Sequence, residues 1–477
     1  MMMTKHTHIP DLIVVGGGTA GLPAAICAAE RGLEVVLVEK SDTLGGTLRY
    51  AKELSAAGTK QQRDKAIEDH PAWHKSEVLN LGKGLAHERL VDKATRAAAQ
   101  TLAWLEGQGV EIDPVCPQIV YNHEAYKIAR THWAVGSGAA IADILVSKVE
   151  ALETSGRCQV LRGTALASLQ IDGARVKSIT LTDGQVLKAH HILLATGGYA
   201  ASQALYQRFH SMPQIMAWAP VFAQGEGLVA GEAAGLDVTG HDGFNLSFGG
   251  VMDGGGPARN ILCRLNTLPQ LRQPWEIIVN TRGERFLRED EPSIDAQEEA
   301  LLAQPGYAGF MVFDDRIRQE APDRMRKWYL PPHEEDFDGL EWFYEGETLE
   351  ALAQAAGIDP QGLAKTVTAY NAAQSSGADP LGRSHMPMPI TKPPFFAIRF
   401  QGCNVISPVG LKANAELQAV TQTGTTIENL YLAGEILGSC QLMGRSAAGG
   451  MMATPAMSFG RLIGQSIEAT PALKAAV

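Results

Sequence analysis

The sequence predicts an α/β fold that opens with a strand, a glycine-rich turn, a helix and a second strand. A β-branched run over 11–15 precedes three consecutive glycines, and an alanine-rich, helix-forming segment follows over 22–31. A second apolar run over 34–38 ends at the acidic residue Glu39. This order of elements is typical of a Rossmann-like unit with a parallel sheet.

The glycine-rich turn has the spacing that binds a dinucleotide. Gly16 permits the tight turn, Gly18 lets the backbone approach a pyrophosphate, and Gly21 allows the helix to pack closely on the strand. The helix begins there with free N–H groups and a partial positive charge. Glu39 is placed to accept hydrogen bonds from both hydroxyls of a ribose. The segment predicts a bound dinucleotide but does not separate FAD from NAD.

Composition places the chain among globular proteins without a basic surface. The 477 residues include 41 lysines and arginines against 52 aspartates and glutamates, a formal net charge of −11. Because binding to a nucleic-acid backbone requires a basic surface, we expect no nucleic-acid partner. No apolar run is long enough to span a membrane, and the polar N-terminus lacks a signal-peptide core. We therefore expect a cytoplasmic protein without an integral membrane segment.

The cysteines and histidines form no motif for a metal. The six cysteines are far apart and make no CxxC pair. This spacing disfavours a disulfide framework, a zinc site and an iron–sulfur cluster. We expect reduced, mostly buried thiols and no bound metal.

Three further segments carry recognisable patterns. Residues 40–47 end in a glycine pair and a threonine, 191–198 form a hydrophobic strand that ends in Ala-Thr-Gly-Gly, and 429–435 form a strand that ends at Glu435. In this order they resemble the EKxxxxGG(S/T), ATGG and LYAAGE segments of the FAD-dependent fumarate reductase and 3-ketosteroid dehydrogenase superfamily. The resemblance implies that the dinucleotide is FAD and that Glu435 holds its ribityl chain.

The resemblance and the glycine turn together define a set of expected FAD contacts. They come from the first βαβ unit, the segments that follow it and the start of the last helix. The predicted cofactor-binding residues are Gly16, Gly18, Thr19, Ala20, Gly21, Glu39, Lys40, Gly46, Thr47, Leu48, Ala57, Gly58, Ala165, Ala195, Thr196, Gly197, Gly434, Glu435, Gly449, Gly450, Met451 and Met452.

The resemblance also implies an α+β capping domain inserted into a Rossmann-like FAD-binding domain. Residues 223–235 resemble the TGDG-type helix start that closes the first part of the FAD domain, and 280–286 resemble the NxxGxRF hairpin of the cap. Thr348 precedes an apolar-periodic run and can cap a new helix with its hydroxyl. We predict an FAD-binding domain over 1–235 and 356–477 and a capping domain over 236–355.

The start of the last helix is the segment expected nearest the chemistry. Gly449 and Gly450 open this helix, where bare N–H groups and the positive end of the helix dipole stabilise an anionic reduced flavin. Residues 455–460 resemble the GPAMVFG ending of 3-ketosteroid dehydrogenases more than the NALTDCLVFG ending of fumarate reductases.

Departures from the fumarate reductase pattern bear on the substrate. Fumarate reductases carry an arginine ahead of the glycine pair, and the corresponding residue here is Ala447. The position of their shuttle arginine falls near Ser293 and Ile294, and the positions of the histidines in their HHTMGG motif fall near Val405 and Ile406. The two charges of a C4 dicarboxylate need cationic partners in a desolvated site. The sequence therefore disfavours fumarate as substrate.

The tyrosine of the 3-ketosteroid dehydrogenase pattern is also replaced. Its position falls at Ser446 or at Arg445, depending on where the count begins, and a serine hydroxyl is a much poorer base than a phenol. Tyr126 is a candidate for proton transfer, Arg445 a candidate carboxylate clamp, and Asn245 a candidate from the cap. The predicted catalytic residues are therefore Tyr126, Asn245, Arg445 and Ser446.

These features predict an FAD-dependent oxidoreductase acting on CH–CH groups beside a carbonyl. A hydride would pass between flavin N5 and the β-carbon of a hydrophobic, steroid-like or smaller ketone, making or reducing a C=C bond. Two alternatives stay open: an α,β-unsaturated carboxylate reductase with Arg445 as the clamp, and a non-catalytic flavin-binding subunit or redox sensor. The expected partners are a small-molecule substrate and an unidentified electron acceptor or donor.

Overall fold

The computed structural model of the chain describes residues 9–121, 124–210, 216–217, 219–243, 246–252, 261–265, 267–321 and 340–468. Asn245, one of the predicted catalytic residues, lies outside them. Within these residues two large β-sheets and the helices around them line a cavity. None of the helices in these ranges is both long and apolar enough to cross a membrane.

A six-stranded sheet contains the predicted strand, turn, helix and strand. Its strands, in spatial order, are β19 (Gln418–Val420), β20 (Thr426–Leu432), β9 (His191–Leu194), β1 (Leu12–Val15), β2 (Val35–Val38) and β5 (Cys158–Leu161). All are parallel except β19, which lies antiparallel to β20 at the edge. The strand β1 is completely buried, as its uninterrupted apolar run indicates.

Long helices pack around this sheet and bring the end of the chain back to its beginning. They are α1 (Gly21–Glu30), α3 (Pro71–Leu81), α4 (Glu88–Gly107), α5 (Ser137–Thr154) and α13 (Ala453–Ser466). α1 packs on α5 and on α13, and α4 packs on α13. A Cβ atom at Gly460 would overlap the carbonyl oxygen of Ala20, so only a glycine permits this approach of α13 to α1.

The second large sheet has β17 at its centre. Its strands, in spatial order, are β13 (Ile261–Arg264), β12 (Ser247–Met252), β17 (Phe395–Asn404), β15 (Ala308–Asp314) and β14 (Ile277–Val279), while β10 (Met216–Ala217) and β16 (Phe343–Gly346) also pair with β17. β17 is antiparallel to β12, β15 and β16. Because β17 follows residue 355, the predicted domain boundary there divides the strands of one sheet.

The other elements form small sheets and connecting helices. The small sheets are β3 (Leu54–Ser55) with β4 (Thr131–His132); β6 (Leu166–Asp172), β7 (Arg175–Leu181) and β8 (Val186–Leu187); and β11 (Val238–Thr239) with β18 (Gly410–Leu411). The connecting helices are α2 (Lys60–Asp64), α6 (Gln203–His210), α7 (Glu226–Ala233), α8 (Ile294–Leu302), α9 (Asp315–Glu320), α10 (Leu349–Ala356), α11 (Pro360–Ser376) and α12 (Ser439–Met443), with 3₁₀ turns at Gly46–Tyr50, Pro305–Tyr307 and Glu435–Leu437.

Local sequence signals account for several element ends. Thr348 caps α10 as predicted, because its hydroxyl oxygen accepts the N–H of Ala351 at 3.0 Å. The predicted hairpin begins directly after β14, where Asn280 Oδ1 accepts the N–H groups of Arg282 and Glu284. These side-chain bonds fix the turn that brings the chain back toward β14.

Candidate active site

A cavity of about 1150 Å³ lies at the carboxyl ends of the parallel strands. Val15, Val38, Ala195 and Gly434 line it, and each stands at or just after the end of a strand of the first sheet. Ligands of open α/β sheets bind at this edge. The volume exceeds the roughly 300–1,000 Å³ of a typical small-molecule site, so the cavity has room for a dinucleotide and a second molecule.

The glycine turn after β1 is shaped for a pyrophosphate. Gly16 has a φ of +106°, and a Cβ atom there would overlap the carbonyl oxygen of Ala195. A Cβ atom at Gly18 would meet only the Cα of Gly46, at 3.8 Å, so this glycine leaves the backbone open toward the cavity. α1 has no side-chain cap at its N-terminus. Its first N–H groups therefore suit an anionic ligand.

Glu39 is held where a ribose would lie. One carboxylate oxygen accepts the N–H of Gly17 at 2.8 Å and the other accepts the N–H of Ser41 at 2.9 Å. The side chain lines the cavity although the residue is only 8% exposed. A carboxylate has about four acceptor positions, so both oxygens keep capacity for ribose hydroxyls.

Two partly buried polar side chains lie farther along the same cavity. Thr196 Oγ1 is buried and has no hydrogen-bond partner within the part of the chain that the structure describes. Glu435 accepts the N–H of Ser407 at 2.7 Å, and burial raises the pKa of its carboxyl group. Since buried polar groups are normally satisfied, Thr196 Oγ1 indicates that a polar ligand completes this part of the site, as the middle of FAD would.

The glycine pair ahead of α13 forms another part of the cavity wall. Gly450 lines the cavity with a φ of +72°, and a Cβ atom there would overlap the backbone N of Ser55. Among the described residues, none accepts a hydrogen bond from the N–H of Gly450, and α13 has no side-chain cap. This end of the cavity suits the electron-rich edge of a reduced flavin.

The structure brings most of the predicted cofactor residues to this one cavity. Those that line it are Gly16, Gly18, Thr19, Ala20, Glu39, Lys40, Gly46, Thr47, Ala165, Ala195, Thr196, Gly197, Gly434, Glu435, Gly450 and Met452. Six do not line it: Gly21, Leu48, Ala57, Gly58, Gly449 and Met451. A Cβ atom at Gly21 would overlap the carbonyl oxygen of Gly16, so this glycine serves the packing of α1.

Tyr126 does not reach the cavity, which corrects the expectation that it approaches the substrate. Its hydroxyl donates to the carbonyl oxygen of Gly449 at 2.9 Å, and its ring packs edge-on against His74. The residue is buried, and this burial raises the pKa of the phenol far above its usual range. A buried phenol that supports the glycine pair is not placed to exchange a proton with a substrate.

Arg445 and Ser446 also lie outside the cavity wall. Arg445 is exposed, and its Nε lies 3.5 Å from Glu299, so the structure does not support it as a carboxylate clamp. The buried Ser446 donates its hydroxyl proton to Asp295 at 2.9 Å. Both residues contact α8, which makes them anchors of that helix.

α8 is fixed at its N-terminus by contacts with Glu124 and Lys83. Ser293 caps the helix by accepting the N–H of Ala296 at 3.1 Å. The carboxylate of Glu124 accepts the hydroxyl of Ser293 at 2.7 Å and the N–H of Asp295 at 2.8 Å. Asp295 in turn forms an ion pair with Lys83. These contacts hold the first turn of α8 against the segment ahead of the glycine pair.

The sequence analysis did not find the polar residues of the opposite wall. Thr267, Gln297 and Glu298 are buried and line the cavity, and the hydroxyl of Thr267 donates to Gln297 Oε1 at 2.9 Å. Glu298 lies one helical turn after Ile294, which also lines the cavity. A count of one turn from the position where fumarate reductases carry their shuttle arginine would have found this carboxylate.

The positions that depart from the fumarate reductase pattern do face the cavity. Ala447, Ile294, Val405 and Ile406 all line it. Among the residues whose side chains the structure describes, no arginine and no histidine lines it. Lys40 is paired with Glu226 at 2.6 Å. The described part of the wall formed by the second sheet and α8 is therefore mainly apolar, with a few buried polar groups.

The glycine turn and the cavity at the strand ends define a dinucleotide-binding protein. A model of the FAD binding domain family matches residues 11–451. The chain therefore belongs to this family, and FAD is its cofactor. The predicted α/β fold, the FAD cofactor and the FAD-dependent oxidoreductase class are thereby confirmed, which leaves the non-catalytic alternative without support.

Three known proteins illustrate the similarity. The chain is 27% identical over 464 residues to a probable fumarate reductase of Shewanella frigidimarina, covering 96% of this chain and 74% of that protein. It is 24% identical over 472 residues to vinyl phenol reductase of Lactiplantibacillus plantarum, covering 91% of both. Its fold matches 3-ketosteroid delta1-dehydrogenase of Sterolibacterium denitrificans with a TM-score of 0.76 at 20% identity, over 96% of this chain and 99% of that chain.

Proposed function

We propose that this enzyme transfers a hydride between FAD and a C=C or CH–CH group conjugated to a carbonyl in a neutral, largely apolar substrate. The observation that carries this proposal is the set of apolar side chains at the positions where fumarate reductases bind carboxylates. Bound FAD supplies the two-electron chemistry. An electron acceptor or donor, whose identity stays open, completes the cycle.

The charges of the cavity favour a neutral substrate. A buried carboxylate ligand needs cationic, hydrogen-bonding partners to offset its desolvation. One wall of the cavity is formed by the second sheet and α8. Glu298, which is acidic, is the ionisable residue among the described side chains that line this wall. Lys52, another cavity residue, is exposed and places its ammonium group 5.2 Å from the ring of Trp133. On this wall, no described side chain supplies the cationic partner that an anionic substrate needs.

Glu298 is the residue we assign to proton transfer at the α-carbon. It is 5% exposed, it lines the cavity, and it extends from a helix that is fixed at its N-terminus. Thr267 and Gln297 line the same wall and are held to each other, because the Thr267 hydroxyl donates to Gln297 Oε1. General acid–base catalysis contributes typically about 10²–10⁴-fold, so removal of this carboxyl group has a large expected effect.

The test is an anaerobic oxidation of dithionite-reduced enzyme by neutral enones and by unsaturated acids, followed through the flavin absorption. Reoxidation by enones and not by acids supports the proposal; the reverse result overturns it. Glu298→Gln is expected to slow reoxidation by at least about 100-fold. Glu299→Gln is the matched control, since Glu299 lies on the same helix, half-exposed and outside the cavity wall. An equal rate for both variants contradicts the role of Glu298.

A second candidate function is reduction of an α,β-unsaturated carboxylate. The similarity to a probable fumarate reductase over 96% of the chain favours it. Arg445 is not placed to bind the acid, because it is exposed and lies beside Glu299. In this case a small unsaturated acid reoxidises the reduced flavin, and Arg445→Ala leaves its rate unchanged.

A further inference from the structure

A row of buried hydrogen bonds runs beneath the glycine pair, outside the cavity. His74 Nε2 lies 2.8 Å from Ser55 Oγ, Ser55 Oγ lies 3.3 Å from the hydroxyl oxygen of Tyr126, and Tyr126 donates to the carbonyl oxygen of Gly449 at 2.9 Å. All three side chains are buried. They join α3, β3 and the segment that carries Tyr126 to the start of α13.

The bonds in this row point in one direction. Tyr126 uses its single proton toward Gly449, so its oxygen accepts from Ser55. Ser55 then has no second proton, and His74 must donate from Nε2. His74 Nδ1 is buried and, within the described residues, has no partner. This tautomer leaves Nδ1 as a bare acceptor, which is less costly than an unpaired N–H. Burial lowers the pKa of His74 to about 3, so the ring is neutral.

The row ends on the peptide group that joins Gly449 to Gly450, and in a trans amide the N–H points away from the carbonyl oxygen that Tyr126 contacts. The carbonyl of Gly449 and the N–H of Gly450 belong to the same amide. A hydrogen bond to the carbonyl oxygen polarises the amide and makes its N–H a stronger donor, and successive bonds in a chain reinforce one another. Gly450 lines the cavity, and no described residue accepts its N–H.

We propose that His74, Ser55 and Tyr126 form a relay that strengthens the Gly450 N–H as a donor to FAD and so raises the reduction potential of the flavin. Reduction adds negative charge to the flavin, and a stronger donor stabilises the reduced form more than the oxidised form. The three residues are positioning residues, because none of them lines the cavity. The inference depends on the flavin edge lying at the glycine pair and is independent of the substrate.

Two neighbouring side chains hold the Tyr126 ring in place within the relay. The ring of His74 stands edge-on to that of Tyr126 with centroids 5.2 Å apart. The central carbon of the Arg130 guanidinium lies 5.5 Å from the centroid of the Tyr126 ring. Two nitrogens of this guanidinium donate to Asp69 at 2.6 and 2.8 Å. The Tyr126 ring is thus packed between His74 and the guanidinium of Arg130, with its hydroxyl within reach of Gly449.

The test is the midpoint potential of the FAD-loaded enzyme, measured by reduction against a redox dye. Tyr126→Phe is expected to shift the flavin equilibrium about tenfold toward the oxidised form, which corresponds to about 30 mV for a two-electron couple. Ser55→Ala keeps the bond from Tyr126 to Gly449 and removes the donor behind it, so a smaller shift in the same direction is expected. Tyr370→Phe is the matched control, because Tyr370 is a buried tyrosine that donates to the carbonyl of Met388 away from the cavity.

A purely structural role gives a different pattern. In that case Tyr126→Phe weakens FAD retention or lowers the melting temperature while the potential of the retained flavin equals that of Tyr370→Phe. That result overturns the proposal. An unchanged potential in Ser55→Ala also overturns the relay, since it would show that donation from Ser55 has no effect on the flavin. Lower potentials in both variants, with the smaller shift in Ser55→Ala, support it.

Discussion

Glu39→Gln tests whether the carboxylate at the end of β2 binds FAD. In the structure each oxygen of Glu39 accepts one backbone N–H, from Gly17 at 2.8 Å and from Ser41 at 2.9 Å. A glutamine has one acceptor oxygen, so its NH₂ group must face one of these donors. The variant loses a charge-assisted bond to the backbone or to the ribose, worth about 1.5–3 kcal/mol. Since about 1.4 kcal/mol is tenfold in an equilibrium constant, the Kd for FAD is expected to rise about 10- to 150-fold.

The measurement is a fluorescence titration of the deflavinated protein with FAD. Glu347→Gln is the control, because Glu347 is exposed and does not line the cavity. It is expected to bind FAD like the unchanged protein. A rise in Kd of less than about threefold in Glu39→Gln, with normal binding by the control, would refute the assignment of a ribose to this carboxylate.

Three further outcomes are expected. The pKa of His74 is lowered in the folded protein, so as the pH drops below about 6.5 the unfolded chain takes up a proton there first and the folded state loses stability. The loss is at most about 1.4 kcal/mol per pH unit. Urea unfolding of His74→Gln should show a shallower dependence of stability on pH, and an unchanged dependence contradicts this reasoning. Gly460→Ala should destabilise the protein by about 1–3 kcal/mol, because α13 must move away from α1 to make room for the methyl group. Gly107→Ala is the control: this glycine has open space around it, so its substitution should be neutral or slightly stabilising. Ser446→Ala removes the buried hydrogen bond to Asp295, which keeps its ion pair with Lys83. The variant should lose about 1–3 kcal/mol of stability without a change in FAD affinity, and a specific loss of turnover at unchanged stability would restore Ser446 as a catalytic residue.

Local patterns predicted the parts of the site that depend on neighbouring residues. The turn at Gly16, the strand end at Glu39 and the cap at Thr348 are each set by a few consecutive residues. Their chemistry is therefore visible in the sequence, and the structure has the corresponding elements within one residue of the predicted bounds at the first helix and strands.

The wall opposite the cofactor residues could not be predicted in this way. Glu298 faces the cavity because Glu124, far away in the sequence, accepts from the first turn of α8. Tyr126 was expected near the substrate by its order along the chain, but packing against His74 places it behind the glycine pair. Such positions depend on long-range contacts that no local spacing encodes.

The position of β17 in the chain determines when the second sheet can assemble during synthesis. β12 and β15 emerge from the ribosome before β17, which lies between them in the finished sheet. On the order of 140 residues separate β12 from β17, which at about 5–20 residues per second is a delay of roughly 7–30 s. During that time the partner edges of both strands lack their native neighbour, and unpaired strand edges are sites of aggregation. We therefore expect the yield of folded enzyme to depend on protection of this half-built sheet while the chain between β12 and β17 is made.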